Sequence, residues 1–93
     1  MVTAIILINV ERLKVKELAE SIHKVEGVSE VYSVAGQYDL VVIIRVKKNE
    51  DVADLVTGHL LKIEGIQKTE TLIAFASYSR YDLEHLFSIG QEE

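Results

Sequence analysis

Five residues recur in this chain: Lys24-Val25-Glu26-Gly27-Val28 returns as Lys62-Ile63-Glu64-Gly65-Ile66. Apolar residues at spacings of three and four lead into each copy. They are Val15, Leu18, Ala19, Ile22 and Val25 before the first glycine, and Val52, Leu55, Val56, Leu60 and Ile63 before the second. That period predicts a helix with one apolar face. Each glycine then suits a left-handed helix cap, where a side chain would cost energy. Each copy leads into a β-rich run, so each is a joint from helix to strand. A strand-like run also precedes each helix, and the order is strand–helix–strand, twice.

The strand-like runs set the sheet. Thr3–Val10 carries Ala4, Ile6 and Ile8 on one side and Ile5 and Leu7 on the other. Leu40–Lys47 sets Val41 and Ile43 opposite Leu40, Val42 and Ile44. Val28–Ala35 and a long run from Ile66 to Tyr78 are the other two strands. Asn49 is the expected N-cap of the second helix, followed by Glu50 and Asp51, which suit a positive helix end. Right-handed crossovers turn βαββαβ into an α+β, ferredoxin-like fold. It has a four-stranded antiparallel sheet with two helices on one face. The two most apolar strands, first and third, take its centre.

Helices can cover only one face of that sheet. Whichever set they take, about four large apolar side chains remain on the other. Leaving them in water forgoes roughly 6–12 kcal/mol at about 1.5–3 each. That rivals the whole stability of a small domain, about 5–15 kcal/mol. The expectation is a dimer closed sheet against sheet through the open face.

Composition removes several classes of function. Ninety-three residues, 48% of them apolar, make one domain, expected over 1–78, with a helical extension over 79–93. With no cysteine there is no disulfide and no thiolate metal site. No apolar run is long enough for a membrane span and no basic leader is visible, so a cytoplasmic protein away from membranes is expected. A net charge of −5 with no basic stripe argues against direct DNA binding. His23, His59 and His85 lie far apart on helical segments, without a metal-ligand spacing. No cofactor is expected, and no paired carboxylates or Ser/His/Asp set marks a catalytic centre.

Between the second and third strands lies Val34-Ala35-Gly36-Gln37-Tyr38-Asp39. As a bare pattern this is a hairpin turn, its glycine supplying a positive φ. Together with Val25-Glu26-Gly27-Val28, and Ile66-Gln67-Lys68-Thr69-Glu70-Thr71-Leu72-Ile73 opening the last strand, it carries a resemblance. In this order and spacing, over Thr3 to Ala76, the chain resembles the C-terminal effector-binding domain of the Lrp/AsnC transcription regulators, the RAM domain. Those regulators place a helix-turn-helix ahead of this module. With the sequence opening at Met1, the expectation is the stand-alone form, without that helix-turn-helix.

The resemblance implies an amino-acid effector, held between dimers of a ring-like octamer or decamer, with the Gly36-x-x-Asp39 turn at the pocket. The residue chemistry is compatible. Asp39 can accept from an ammonium. Backbone N–H groups around Gly36 and Gln37 can meet a carboxylate. Thr69 and Thr71 share one side of the last strand and offer hydroxyls. Ser33 and Tyr38 can line the walls. Against this stand plainer roles: Asp39 bonding backbone in its turn, the threonines as ordinary β-branched residues, Gly36 serving φ alone. Full-length Lrp/AsnC relatives are possible assembly partners. The alternatives are a small dimeric ferredoxin-like enzyme, of the cofactor-free monooxygenase or isomerase type, and an ACT-like sensor module.

Beyond the resemblance, Ser79-Arg80-Tyr81-Asp82 reads as a helix start, and Leu83, Leu86 and Phe87 follow at helical spacing. A helix this short is marginal alone in water, so it is expected to dock on its own subunit or a neighbour.

Overall fold

A computed structural model describes residues 1–78. The expected helical extension over 79–93 lies outside the described residues. Strand β1 (Val2–Val10) leads through a 3₁₀ turn, Arg12–Lys14, into helix α1 (Val15–His23). Strands β2 (Val28–Ser33) and β3 (Leu40–Val46) form the hairpin. Helix α2 (Asn49–Gly58) and a 3₁₀ turn, Leu60–Lys62, lead to β4 (Ile66–Ile73). The sheet order is β2-β3-β1-β4, with every neighbouring pair antiparallel. The two most apolar strands are therefore the central pair.

Alternation along these strands decides what each face buries. Ala4, Ile6, Ile8 and Val10 of β1 and Leu40, Val42 and Ile44 of β3 point under the helices and are buried. Leu18 and Ile22 of α1, Val52, Leu55 and Val56 of α2, and Leu60 close the core above them. Ile5, Leu7, Val41 and Ile43 point the other way and remain half-buried. Register brings them together, Ile5 opposite Ile43 and Leu7 opposite Val41.

The recurring glycines are crossed supports. Gly27 has φ +97° and Gly65 φ +106°, so both adopt the left-handed cap conformation. A Cβ on Gly27, after α1, would lie 2.7 Å from Leu55 Cδ1 of α2. A Cβ on Gly65, beyond α2, would lie 3.0 Å from Leu18 Cδ1 of α1. Each half's joint thus seats against the other half's helix. The backbone repeats the exchange: Arg45 N donates to Gly27 O and Glu11 N donates to Gly65 O, both at 3.0 Å.

Element ends differ from the expectation in small ways. Lys48, not Asn49, is the N-cap of α2, because Lys48 keeps extended dihedrals, and its N–H donates to Asp51 Oδ2 at 3.1 Å. Helical bonding beyond His23 tightens to the i→i+3 type, with Val25 N donating to Ile22 O. The second apolar run divides likewise, α2 ending at Gly58 and Leu60 falling in a 3₁₀ turn. Strand β4 stops at Ile73, short of the expected Tyr78, because only Ala74 N, donating to Thr3 O, extends its pairing with β1.

The joints are testable against a control. Gly27→Ala and Gly65→Ala should each lose about 1 kcal/mol or more, since both force a side chain into positive φ beside a leucine. Gly58→Ala has helical dihedrals and open space, so it should be neutral or gain up to about 1 kcal/mol. Urea denaturation midpoints of the three variants measure this.

Candidate functional site

The hairpin turn, residues 34–39, does not stand free of the sheet. Val34 N donates to Asp39 O at 3.0 Å and closes the turn. Asp39 N donates to Ile8 O at 2.9 Å, and Asp39 Oδ2 accepts from Val10 N at 2.9 Å. The second bond falls where the register of β1 with β4 shifts between Asn9 and Val10. The Asp39 carboxylate thus serves an amide at an irregularity in the ladder, where a backbone partner is displaced. Asn9 Nδ2 donates to Gln37 O at 2.8 Å. The turn therefore leans over the end of β1 and reaches β4, where the Tyr38 hydroxyl donates to Glu70.

Two glutamate–tyrosine contacts flank the open face. Tyr38 donates to Glu70 on one side, and Tyr32 donates to Glu30 on the other. Each tyrosine is pushed above its ordinary range by the carboxylate that its hydroxyl serves. Glu30 is drawn below the carboxylate range by the bonds from Tyr32 and then from Arg45, whose Nη1 lies 3.3 Å from Oε1. Between these polar margins lie Ile5, Leu7, Val41 and Ile43, with Tyr32 and Leu72 exposed beside them.

Of the expected site residues, the structure gathers Gly36, Gln37, Tyr38 and Asp39, and adds Asn9 and Glu70. Gly36 has φ +136°, and a Cβ there would meet nothing within 4 Å. Its need is conformational, and its surroundings are open. Thr69 and Thr71 pair with Ile8 and Ile6, so they point to the helix side of the sheet, away from Tyr38 and Glu70. Ser33 pairs with Leu40 and points to the helix side as well, on the edge strand. Within one chain these three do not share a surface with the Tyr38 hydroxyl. Asn9 and Glu70 lie on the open-face side of their strands together with Thr3 and Lys68, so alternation alone does not single them out.

Among the described residues, four of the surface concavities lie away from the turn. The largest, about 500 Å³ and about 480 Å³, lie between α2 and β4 and at the corner of β3 and α2. Those of about 300 Å³ and 100 Å³ lie between α1 and β2 and beside Met1. None of the four is lined by a residue of the 34–39 turn. Among the described residues no group of His, Asp and Glu could hold a metal ion. No described helix is long and apolar enough to cross a membrane.

Comparison with known proteins gives this arrangement a family. Residues 3–83 match the family model of the Lrp/AsnC ligand binding domain. An HTH-type transcriptional regulator of Pyrococcus furiosus is 37% identical over 78 residues, which cover 81% of this chain and 52% of the regulator. The chain thus spans about half the length of the curated relatives it matches. Among solved structures, TTHA0845 from Thermus thermophilus is 46% identical with a TM-score of 0.81, over 86% of this chain and 100% of that one. The Neisseria meningitidis transcriptional regulator NMB0573, solved in complex with L-Met, shares the fold with a TM-score of 0.76 at 17% identity, over 85% and 53% of the two chains. The Pyrococcus and Neisseria proteins are named as transcriptional regulators, and the match to the Lrp/AsnC ligand binding domain favours that family over the enzyme alternative.

Asp39 separates structural from recognition roles. Asp39→Ala should leave the Val10 amide without its acceptor and lose roughly 1–3 kcal/mol. Asp39→Asn retains a carbonyl acceptor and should recover most of that loss while removing the charge. Thermal or urea unfolding of both variants decides it.

Proposed function

The chain belongs to the Lrp/AsnC ligand binding domain family, and we propose that it is an amino-acid-sensing, oligomer-forming module of transcriptional control. The domain is regulatory rather than enzymatic. One observation carries the finer reading: the polar turn 34–39 borders the apolar sheet face that has no cover in a single chain. A second copy laid on Ile5, Leu7, Val41 and Ile43 would bring Tyr38, Glu70 and Asn9 to the seam. The site is then completed by assembly.

An amino acid suits what remains unused there. Val10 engages Oδ2 of Asp39, leaving Oδ1 without a partner among the described residues. That oxygen can accept from an ammonium. The exposed amides beside Gly36 can donate to a carboxylate. Ser33, Thr69 and Thr71, on the helix side, would enter such a site only from a neighbouring subunit. The L-Met complex of the Neisseria regulator supports the ligand class. We further assign assembly of the dimers into an octamer or decamer, acting in the cytoplasm. Full-length family members sharing the open-face contact are the natural partners. With a net charge of −5 the chain itself should not read duplex DNA.

Two substitutions test the assembly. Ile43→Asp, on the open face, should give a folded monomer by light scattering, because its charge becomes buried only on association. Val42→Asp, at 0% exposure in the core, should unfold the chain. A folded dimer of Ile43→Asp refutes the assignment of this face. For the effector, at least one of the twenty amino acids should stabilise the oligomer by about 2.7 kcal/mol at a hundredfold excess over Kd. Asp39→Asn should abolish that gain. If no amino acid raises the melting temperature or gives heat in calorimetry, the sensor reading fails.

A further inference from the structure

The groove between α2 and β4 is unrelated to the turn and lies on the opposite side of the sheet from the proposed dimer face. We propose that it is the seat of the chain's own C-terminal segment, 79–93. Val52, Ala53 and Val56 of α2 form one wall, and Thr71 and Ile73 of β4 form the other, around about 500 Å³. Strand β4 is the sheet edge, and Ile73 remains 45% exposed there although its register partner Ala4 is fully buried. The Thr57 hydroxyl, at the far end, donates to Ala53 O at 2.8 Å, so it is already satisfied within α2. What the groove offers an occupant is chiefly apolar surface.

The course of the chain selects the occupant. Ala74 N donates to Thr3 O at 2.9 Å, so the backbone leaves the sheet one residue beyond Ile73, at the groove's own mouth. Asn49 opens α2 at that same mouth, and α2 runs antiparallel to β4. Residues 74–78 can reach up to about 17 Å when extended, enough to turn back over the mouth. From Asn49 to Thr57 the helix wall is about 12 Å long at 1.5 Å per residue. The segment carries Leu83, Leu86 and Phe87 at helical spacing, with Ser79 and Asp82 as a helix start. With Ser79 as its cap, a helix from Arg80 to Ile89 would span about 14 Å, close to the length of the wall, and would offer it one apolar stripe.

Tethering favours this occupant over a second copy. A short linker, residues 74–78, holds the segment at a high effective concentration, about millimolar, whatever the protein concentration. The groove also faces away from the open sheet face, so filling it does not compete with dimerisation. A helix of this length gains from the groove the packing that it lacks in water.

The natural chain contains no cysteine, so introduced thiols report without background. In the 93-residue chain, Ala53→Cys paired with Phe87→Cys should form a disulfide within one chain under mild oxidation, read by non-reducing gel and mass spectrometry. Thr57→Cys with Phe87→Cys covers the adjacent register. Separately, the single thiol of Ala53→Cys should react about tenfold faster with a bulky maleimide when Leu83, Leu86 and Phe87 are changed to serine. Circular dichroism checks that the domain remains folded. A disulfide formed only between two chains overturns the proposal and gives the groove to a second copy. An unchanged alkylation rate also overturns it, leaving the groove to a free ligand or another partner.

Discussion

Strand β1 has no side that tolerates water. Ala4, Ile6 and Ile8 fill the core while Ile5 and Leu7 line the face opposite. β3 repeats the condition with Val42 and Ile44 against Val41 and Ile43. Antiparallel sheets usually keep one face wet. This one carries Ile5, Leu7, Val41 and Ile43 on its open face, and much else follows: the helices gather on one side, and the polar groups of the turn come to lie at the border of the other. The crossed glycine contacts then lock the helix layer, since Gly27 bears on Leu55 and Gly65 on Leu18. Neither βαβ half can settle without the other.

The turn shows how one residue can fasten a hairpin and, in the function proposed above, leave an oxygen for a ligand. Asp39 fastens the hairpin to the end of β1 through its backbone N–H and through one carboxylate oxygen. Its position is fixed before any ligand arrives, so a small molecule would meet an ordered group rather than having to order one. Gly36, two residues from Tyr38, carries the backbone dihedral that lets the turn lean inward.

Most of the fold was legible because periodicity is a local signal. The recurring Val-Glu-Gly-Val and Ile-Glu-Gly-Ile joints, the two-sided β1 and β3, and the helix faces of Leu18, Ile22, Val52 and Leu55 all announce themselves in short windows. The candidate site was legible only in part, because it depends on long-range pairing. Which β4 residues share a side with the turn depends on strand parity: Glu70 does, while Thr69 and Thr71 lie on the helix side. That parity is fixed by the register with Ile8, Leu7 and Ile6, which no window on β4 contains. The bond from Val10 to Asp39 was likewise hidden, because it depends on the shift after Asn9. Lys48 displaced Asn49 as cap because a side chain's capping preference is weaker than the path of the chain leaving β3.

The pairing of β1 with β4 also has a consequence for how the chain is made. The first strand finds one of its two neighbours only when the last strand arrives, from Ala4 to Ile73. On the ribosome, β1, α1, β2 and β3 can associate early, but one edge of β1 stays unsatisfied until nearly the whole domain has emerged. A strand apolar on both sides, with an open edge, is a hazard for aggregation during that interval. Closing so long a loop also slows the final step, since its entropy is spent before the pairing rewards it. The strand order that centres β1 in the finished sheet leaves it the most vulnerable element of the unfinished one.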